Sequence, residues 1–240
     1  MRVSGEEAYV LHHREYGETS LLLEMFTRQH GRLGLMAKGA RRPRSPLRLA
    51  LIPFQPLLVS FSGRGDLPTV SSAEPGNGAL PLSGKALVCG LYLNELLLRL
   101  LHRHDPHERL FESYIGTLTQ LSSTTFPEQA LRIFEKHLLN EIGYGMVLDH
   151  DVGSGLPIDP LVLYRYQPEH GPVIERDSGG EGIAIHGASL LALAHEVLND
   201  EQSRREAKRL LRALLARQLG DRPLTSRNLF SLPRPADALE

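Results

Sequence analysis

Eight Lys and Arg residues and no Asp or Glu lie between Met25 and Arg64 of a 240-residue chain whose formal net charge is only −1. Side chains of this kind do one sort of chemistry unaided, which is to neutralise a row of anions. The densest stretch, KGARRPRSPLR from Lys38 to Arg48, holds four arginines and one lysine among Gly39, Pro43 and Pro46. Gly and Pro at that spacing break a helix, so the charges are expected on a loop and its flanking strands, where they can follow a phosphate backbone. A solvated basic loop is the competing reading of any charge run. It leaves unexplained why acids, about an eighth of the whole chain, vanish from this window. The candidate phosphate contacts are Arg28, Arg32, Lys38, Arg41, Arg42, Arg44 and Arg48, with Arg14 and Arg64 at the edges of the path. Contacts to phosphate give affinity without sequence information.

Other chemistries find little support. The chain has no GxSxG elbow, no GxxxxGK[ST] phosphate loop, no HExxH and no CxxC. In HRHDPH, the residues His102, His104, Asp105 and His107 straddle an expected helix end, which does not bring them onto one metal. Cys89 is the one cysteine, so no intrachain disulfide or thiolate zinc site can form. A non-enzymatic protein with no cofactor and no metal is therefore expected. A nuclease would need clustered carboxylates, and the basic window offers none. No apolar run reaches eighteen residues and the N-terminus MRVSGEEAYV has no apolar core, so a soluble cytoplasmic protein is expected.

The elements that must hold the cations read as strands. EAYVLHHRE, SLLLEMFT, RLGLMAKG, PLLVSFSG and LPTVSSAE are five apolar or alternating runs separated by Gly and Pro, which predicts a small closed or nearly closed Greek-key barrel within residues 1–80. The basic run falls on its longest connection, between the third and fourth strands. Tyr9, Tyr16, Phe26, Phe54 and Phe61 are the aromatics near it. Most occupy apolar strand positions that suit a core better than a base-stacking face.

From residue 81 the period becomes helical. SGKALVCGLYLNELLLRLLHRH predicts a central helix, Asp105 and Pro106 an N-cap and first position for a second, and Thr124 to Pro127 the start of a third that ends at Gly143. Residues 144–187 lose the pattern and suggest an irregular insert with a short hairpin around YRYQPEHGPVIE. Two more helices follow, over 189–198 and 202–219. The last is rich in Arg and Lys, whose stems either cover apolar surface or extend a phosphate-binding face.

In order and spacing, AYVLHHREYGETSLLLEMFT, GRLGLMAKGARRPRS, LIPFQPLLVSFSGRGDL, LPLSGKALVCGLYLNELLLRLL, ALRIFEKHLLNEIGYG and RPLTSRNLF resemble the bacterial RecO family of recombination mediators, in the form found in Gram-negative proteobacteria. The resemblance spans nearly the whole chain. It implies an α+β, two-domain protein: a five-stranded OB-fold barrel at 1–80 and an all-helical C-terminal domain at 81–240. It also implies binding of single- and double-stranded DNA, strand annealing in the RecF pathway of DNA repair, and action with RecR to load RecA onto strands coated by single-strand-binding protein, in the bacterial cytoplasm near the nucleoid. Many relatives carry a four-cysteine zinc insert after the third helix. The matching stretch here, YGMVLDHDVGSGLPIDPLVLYRYQPEHG, has no Cys, so zinc does not carry over, and the insert is expected to be among the less ordered parts.

The resemblance further implies contact with the acidic, Phe-ended C-terminal tail of single-strand-binding protein, whose recognition calls for a cation beside an apolar groove in the helical domain. Arg132, between Leu131 and Ile133, is the first candidate, followed by Arg99, Tyr92 and Arg109. The alternative from another class is an interaction adaptor whose basic loop docks an acidic protein surface.

Overall fold

Alternation of apolar and polar residues builds five strands: β1 (Arg2–Tyr16), β2 (Ser20–Thr27), β3 (Gly31–Ala37), β4 (Leu57–Ser62) and β5 (Thr69–Pro75). Every second residue turns inward, so Leu23, Met25, Leu33, Leu35, Val59 and Phe61 are buried together in one core. The strands close in the order β1-β2-β3-β5-β4, the OB-fold arrangement expected from the sequence. The structure, a computed structural model, describes residues 2–76, 78, 81–123, 128–175 and 181–229, except for the side chain of residue 227.

Closure depends on the length of β1, which pairs with β4 through Arg2 to Ala8 and with β2 through Ala8 to Tyr16. Its register with β2 shifts between Val10 and His12, and this bulge leaves the Leu11 carbonyl outside the ladder. The remaining gap is sealed by a single parallel pair, Met36 with Thr69, beside the Met36 amide donating to the Pro68 carbonyl at 2.8 Å.

The basic connection is not purely a loop. After turns at 38–44, Pro46 opens a five-residue helix, α1 (Pro46–Ala50). Proline's fixed φ suits a first helical turn, and Ala50 and Leu51 join the barrel core. Leu49 stays 80% exposed.

Two helices pack with the barrel, α2 (Gly84–Leu100) and α3 (Glu108–Ser123). The α3 helix starts later than Asp105 and Pro106 suggest. The segment before it is tied to β3, with the His104 amide donating to the Arg32 carbonyl at 3.0 Å and His104 in left-handed backbone. At Gly31, also left-handed, a Cβ would lie 1.9 Å from the Asp105 carbonyl oxygen. That close approach and the bond to β3 hold residues 103–105 against the strand in a turn, and the helix begins only once the chain leaves it.

The chain divides into two compact units, Met1–Thr125 with Leu224–Glu240, and Phe126–Pro223. In the second, α4 (Glu128–Glu141) and α6 (Glu201–Leu219) bury Leu131, Phe134, Leu138, Leu210, Leu211 and Leu215. The expected start of α4 at residues 124–127 lies outside the described residues. The insert forms more than a hairpin. Strands β6 (Leu163–Gln167), β7 (Gly171–Ile174) and β8 (Ile183–His186) make a sheet in the order β7-β6-β8, followed by α5 (Gly187–Ala194). Tyr164, Tyr166 and Ile185 are buried there, so the described part of the insert has an apolar core of its own, and its residues 176–180 lie outside the described residues. Burial pushes the Tyr166 phenol up to about 12.

The C-terminal segment returns to the first unit as α7 (Ser226–Leu229), part of the RPLTSRNLF motif, whose Phe230 lies outside the described residues. One carboxylate on α2, Glu95, accepts from the Thr225 amide and hydroxyl at 2.8 and 2.7 Å and from the Ser226 amide and hydroxyl at 2.8 and 2.5 Å. Partial burial pushes the Glu95 carboxyl up, but the bonds from Ser226 and Thr225 outweigh it and leave it below its ordinary 4.5. A depressed carboxylate stabilises the fold above 4.5, and that contribution is lost as pH falls through the lowered value. Glu95→Gln is expected to cost about 1–3 kcal/mol at pH 7 and less at pH 3, measured by urea unfolding. An equal loss at both pH values would rule out the carboxylate as the clasp.

Candidate nucleic-acid interface

The window that is free of acids in sequence is not free of them in space. Pairing β1 against β2 sets Ala8 opposite Thr27, which brings Glu7 beside Arg28. Arg28 Nε meets Glu7 at 2.6 Å, its Nη1 meets Glu112 on α3, and its guanidinium lies 5.1 Å from the centre of the Phe111 ring. Hydrogen bonds to Glu112 and Glu7 raise its pKa above the ordinary arginine value. Arg32 Nη1 donates to the Leu98 carbonyl and, at 2.9 Å, to that of Leu101, capping the end of α2. Its Nε sits 3.2 Å from Glu24 but is misaligned for a hydrogen bond. Arg41 pairs with Glu15 at 2.9 Å and reaches the Gly17 and Glu18 carbonyls, fastening the basic loop to the β1–β2 turn. These three cations are therefore fasteners of the barrel unit, a correction to their reading as free phosphate contacts. A window of sequence cannot reveal acids that arrive across a strand pair.

The rest of the predicted set is available. Arg14, Lys38, Arg42, Arg44, Arg48 and Arg64 are exposed and have no ion-pair or side-chain hydrogen-bond partner among the described residues. Lys38, Arg42 and Arg44 form one wall of an open cleft of about 600 Å³, with Ser71, Ser72 and Glu74 of β5 opposite. The loop that carries them is folded by successive turns, Arg42 N–H to the Gly39 carbonyl at 3.1 Å, Ser45 to Arg42 at 3.0 Å, and Arg48 to Ser45 at 3.2 Å. Gly39 takes φ 70°, which admits the first of them without strain. Arg48 extends the charge onto α1, Arg64 stands in the β4–β5 turn, and Arg14 projects from β1.

Aromatic platforms are scarce. Tyr9 and Phe26 pack with Phe111 and Tyr114 of α3 at ring separations of 5.2–6.0 Å, and Phe54 and Phe61 are buried. Only Tyr16 of the candidates is exposed. A second cleft, about 340 Å³, opens on the outer face of the barrel between β1, β2, β3 and the β4–β5 turn, and it includes Arg103. Nothing in the sequence singles out Arg103. It stands in HRHDPH, where the histidines draw attention, and no group of three or more His, Cys, Asp or Glu that could hold a metal occurs among the described residues.

The basic face of α6 is largely engaged within its own unit. Lys208 pairs with Glu128 at 3.0 Å, Arg217 with Glu169 at 3.2 Å and Arg205 with Glu201 at 2.6 Å, while Arg204 and Arg209 donate to backbone carbonyls. Of the tail-binding candidates, Tyr92 is 4% exposed and Arg132 5% exposed, so neither offers a surface. Of the apolar residues flanking Arg132, Leu131 is buried in the core and Ile133 is half-buried. Arg132 Nη2 meets the fully buried Glu135 at 2.8 Å, while its Nε and Nη1 have no hydrogen-bond partner among the described residues. Arg99 is half-buried near the end of α2, and Arg109 is exposed on the first turn of α3.

Two family models match this chain, Recombination protein O N terminal over residues 1–78 and Recombination protein O C terminal over 81–228. Similar proteins include those named DNA repair protein RecO in Nitrosospira multiformis, 47% identical with 95% of each chain covered, and in Nitrosococcus oceani, 49% identical with 96% of this chain and 94% of the relative covered. The protein of that name in Methylococcus capsulatus is 50% identical over 95% of this chain and 93% of its own.

Proposed function

Because the chain belongs to the RecO family of DNA repair proteins, we propose that it is a non-enzymatic mediator that binds single- and double-stranded DNA through its cationic loop and anneals complementary strands. The observation that carries this reading is the group of exposed, unpartnered cations, Lys38, Arg42, Arg44 and Arg48, on one ordered connection of the barrel. Annealing follows from charge neutralisation. Two strands repel each other, and a shared cationic surface screens that repulsion while they find register. Base pairing supplies the rest of the free energy, so no bond is made or broken by the protein.

The same reading makes RecR and single-strand-binding protein its partners, with RecA loading as the outcome. Arg109, exposed on the first turn of α3, is the tail-binding candidate that a partner can reach, whereas the buried Arg132 is not. No described helix is long and apolar enough to cross a membrane.

The test is annealing of two complementary labelled oligonucleotides over a salt series with magnesium present. Acceleration that fades as salt rises, with the strands intact afterwards, is the expected result. Failure to shift or anneal either strand at low salt would favour the adaptor reading, in which the loop docks an acidic protein. Cleaved product would establish an enzyme.

A further inference from the structure

The barrel buries its aromatics, yet the cleft on its outer face has a use that phosphate contacts do not explain. Leu22 of β2 and the 41%-exposed Leu67 of the β4–β5 turn give it apolar lining, and His12, Arg14 and Arg103 line it with polar groups. The acids Glu24 and Asp66 also line it, so its charges are balanced and it is no anion trap. A concave apolar site with both donors and acceptors at the edge suits a flat heterocycle. Its volume of about 340 Å³ is at the small end of ordinary ligand clefts.

Arg103 is placed as a stacking surface. A Cβ built on Gly34 would fall 3.0, 3.1 and 3.3 Å from its Cζ, Nη2 and Nη1, so the guanidinium lies face down on the β3 backbone. A methyl group there would push the guanidinium off by a few tenths of an ångström. One edge is held by the ion pair from Nη2 to Glu24, and the main chain is held by the bridge between Arg32 and Arg103 and the bond from His104 to Arg32. The side chain remains 40% exposed, which leaves its other face to the cleft. Guanidinium planes stack on bases much as aromatic rings do.

We infer that this cleft receives one unstacked nucleobase of single-stranded DNA, with the Arg103 guanidinium, seated on Gly34, as its stacking platform. The inference rests on the DNA-binding reading and adds a preference to it. A base inside a duplex is already stacked and cannot enter, so the cleft favours single strands, whereas the basic loop serves both.

The experiment compares an ordinary single strand, a strand of equal length with abasic sites throughout, and a duplex, each by fluorescence anisotropy at several salt concentrations. Wild-type protein should bind the abasic strand about 5- to 100-fold more weakly than the ordinary one, with an unchanged salt slope. Arg103→Lys keeps the charge and removes the plane, and Gly34→Ala keeps the arginine and lifts it from its seat. Each should lose the discrimination between ordinary and abasic strands while holding the duplex within about twofold. Equal wild-type affinity for ordinary and abasic strands overturns the inference without recourse to a variant, and so does an Arg103→Lys loss that is equal for strand and duplex. Absence of salt-dependent binding to any of the three is a different failure, that of the DNA-binding reading itself.

Discussion

Replacing Arg42 and Arg44 together by alanine should weaken binding to single strands and duplex alike by about tenfold or more near 100 mM salt, and flatten the salt dependence. Both side chains are exposed without partners and share a wall of the 600 Å³ cleft, so each is free to displace a counterion from a phosphate. Losing two contacts lowers the slope of log affinity against log salt by roughly 1.8 for duplex and 1.4 for single strands. The melting temperature should hardly move, because neither residue fastens anything. Arg28→Ala and Arg32→Ala are the informative contrast. The first strips Glu7 and Glu112 of their partner and the second uncaps α2, so they should lower stability and leave the slope in place. A slope unchanged in the Arg42 and Arg44 double variant would remove the loop from the DNA path.

Asn94→Ala should destabilise the barrel unit by about 3–5 kcal/mol, a fall of roughly 10–15 °C in melting temperature. Asn94 is 2% exposed on α2, and its Nδ2 donates to the Leu11 carbonyl at 3.0 Å and more weakly to that of Val10. Its Oδ1 accepts from the Tyr114 hydroxyl of α3 at 2.7 Å. Burial pushes the Tyr114 phenol well above 10, so its proton stays on to donate. One amide therefore satisfies the carbonyl freed by the β1 bulge and joins strand, α2 and α3. Its removal strands a carbonyl and a hydroxyl out of reach of water. Tyr114→Phe keeps the ring packed against Tyr9 and Phe26 and should cost only about 1–2 kcal/mol. Adding it to Asn94→Ala should cost less than the sum, since the stranded hydroxyl is then gone. Loss of less than about 0.5 kcal/mol in Asn94→Ala, by urea unfolding, would show that the bulge does not need the amide.

How far the sequence reveals this protein depends on the range of the interaction. Strand periodicity is local, and the five strands with their inward Leu23, Leu33 and Val59 are legible as written. The exposed cations from Lys38 to Arg48 are legible too, because turn residues around them settle their setting. Arg28, Arg32 and Arg41 look the same in sequence and differ only in that Glu7, Glu24 and Glu15 reach them across strands. The late start of α3 likewise depends on Gly31 pressing on Asp105. Arg103 carries no sequence signal, since its meaning lies in the missing side chain of Gly34. The third strand of the insert is equally hidden, because β8 follows β7 only after residues 176–180 and is too short for a clear period.

The clasp between Glu95 and the Thr225–Ser226 pair also sets an order of assembly. The unit whose strands are made before the helical unit includes the α7 segment, which is made after it. The whole second unit is synthesised between the helix that bears Glu95 and the residues that Glu95 grips. The barrel unit is thus begun early and finished late, and a premature stop near residue 223 would leave an intact helical unit attached to an unfinished barrel unit.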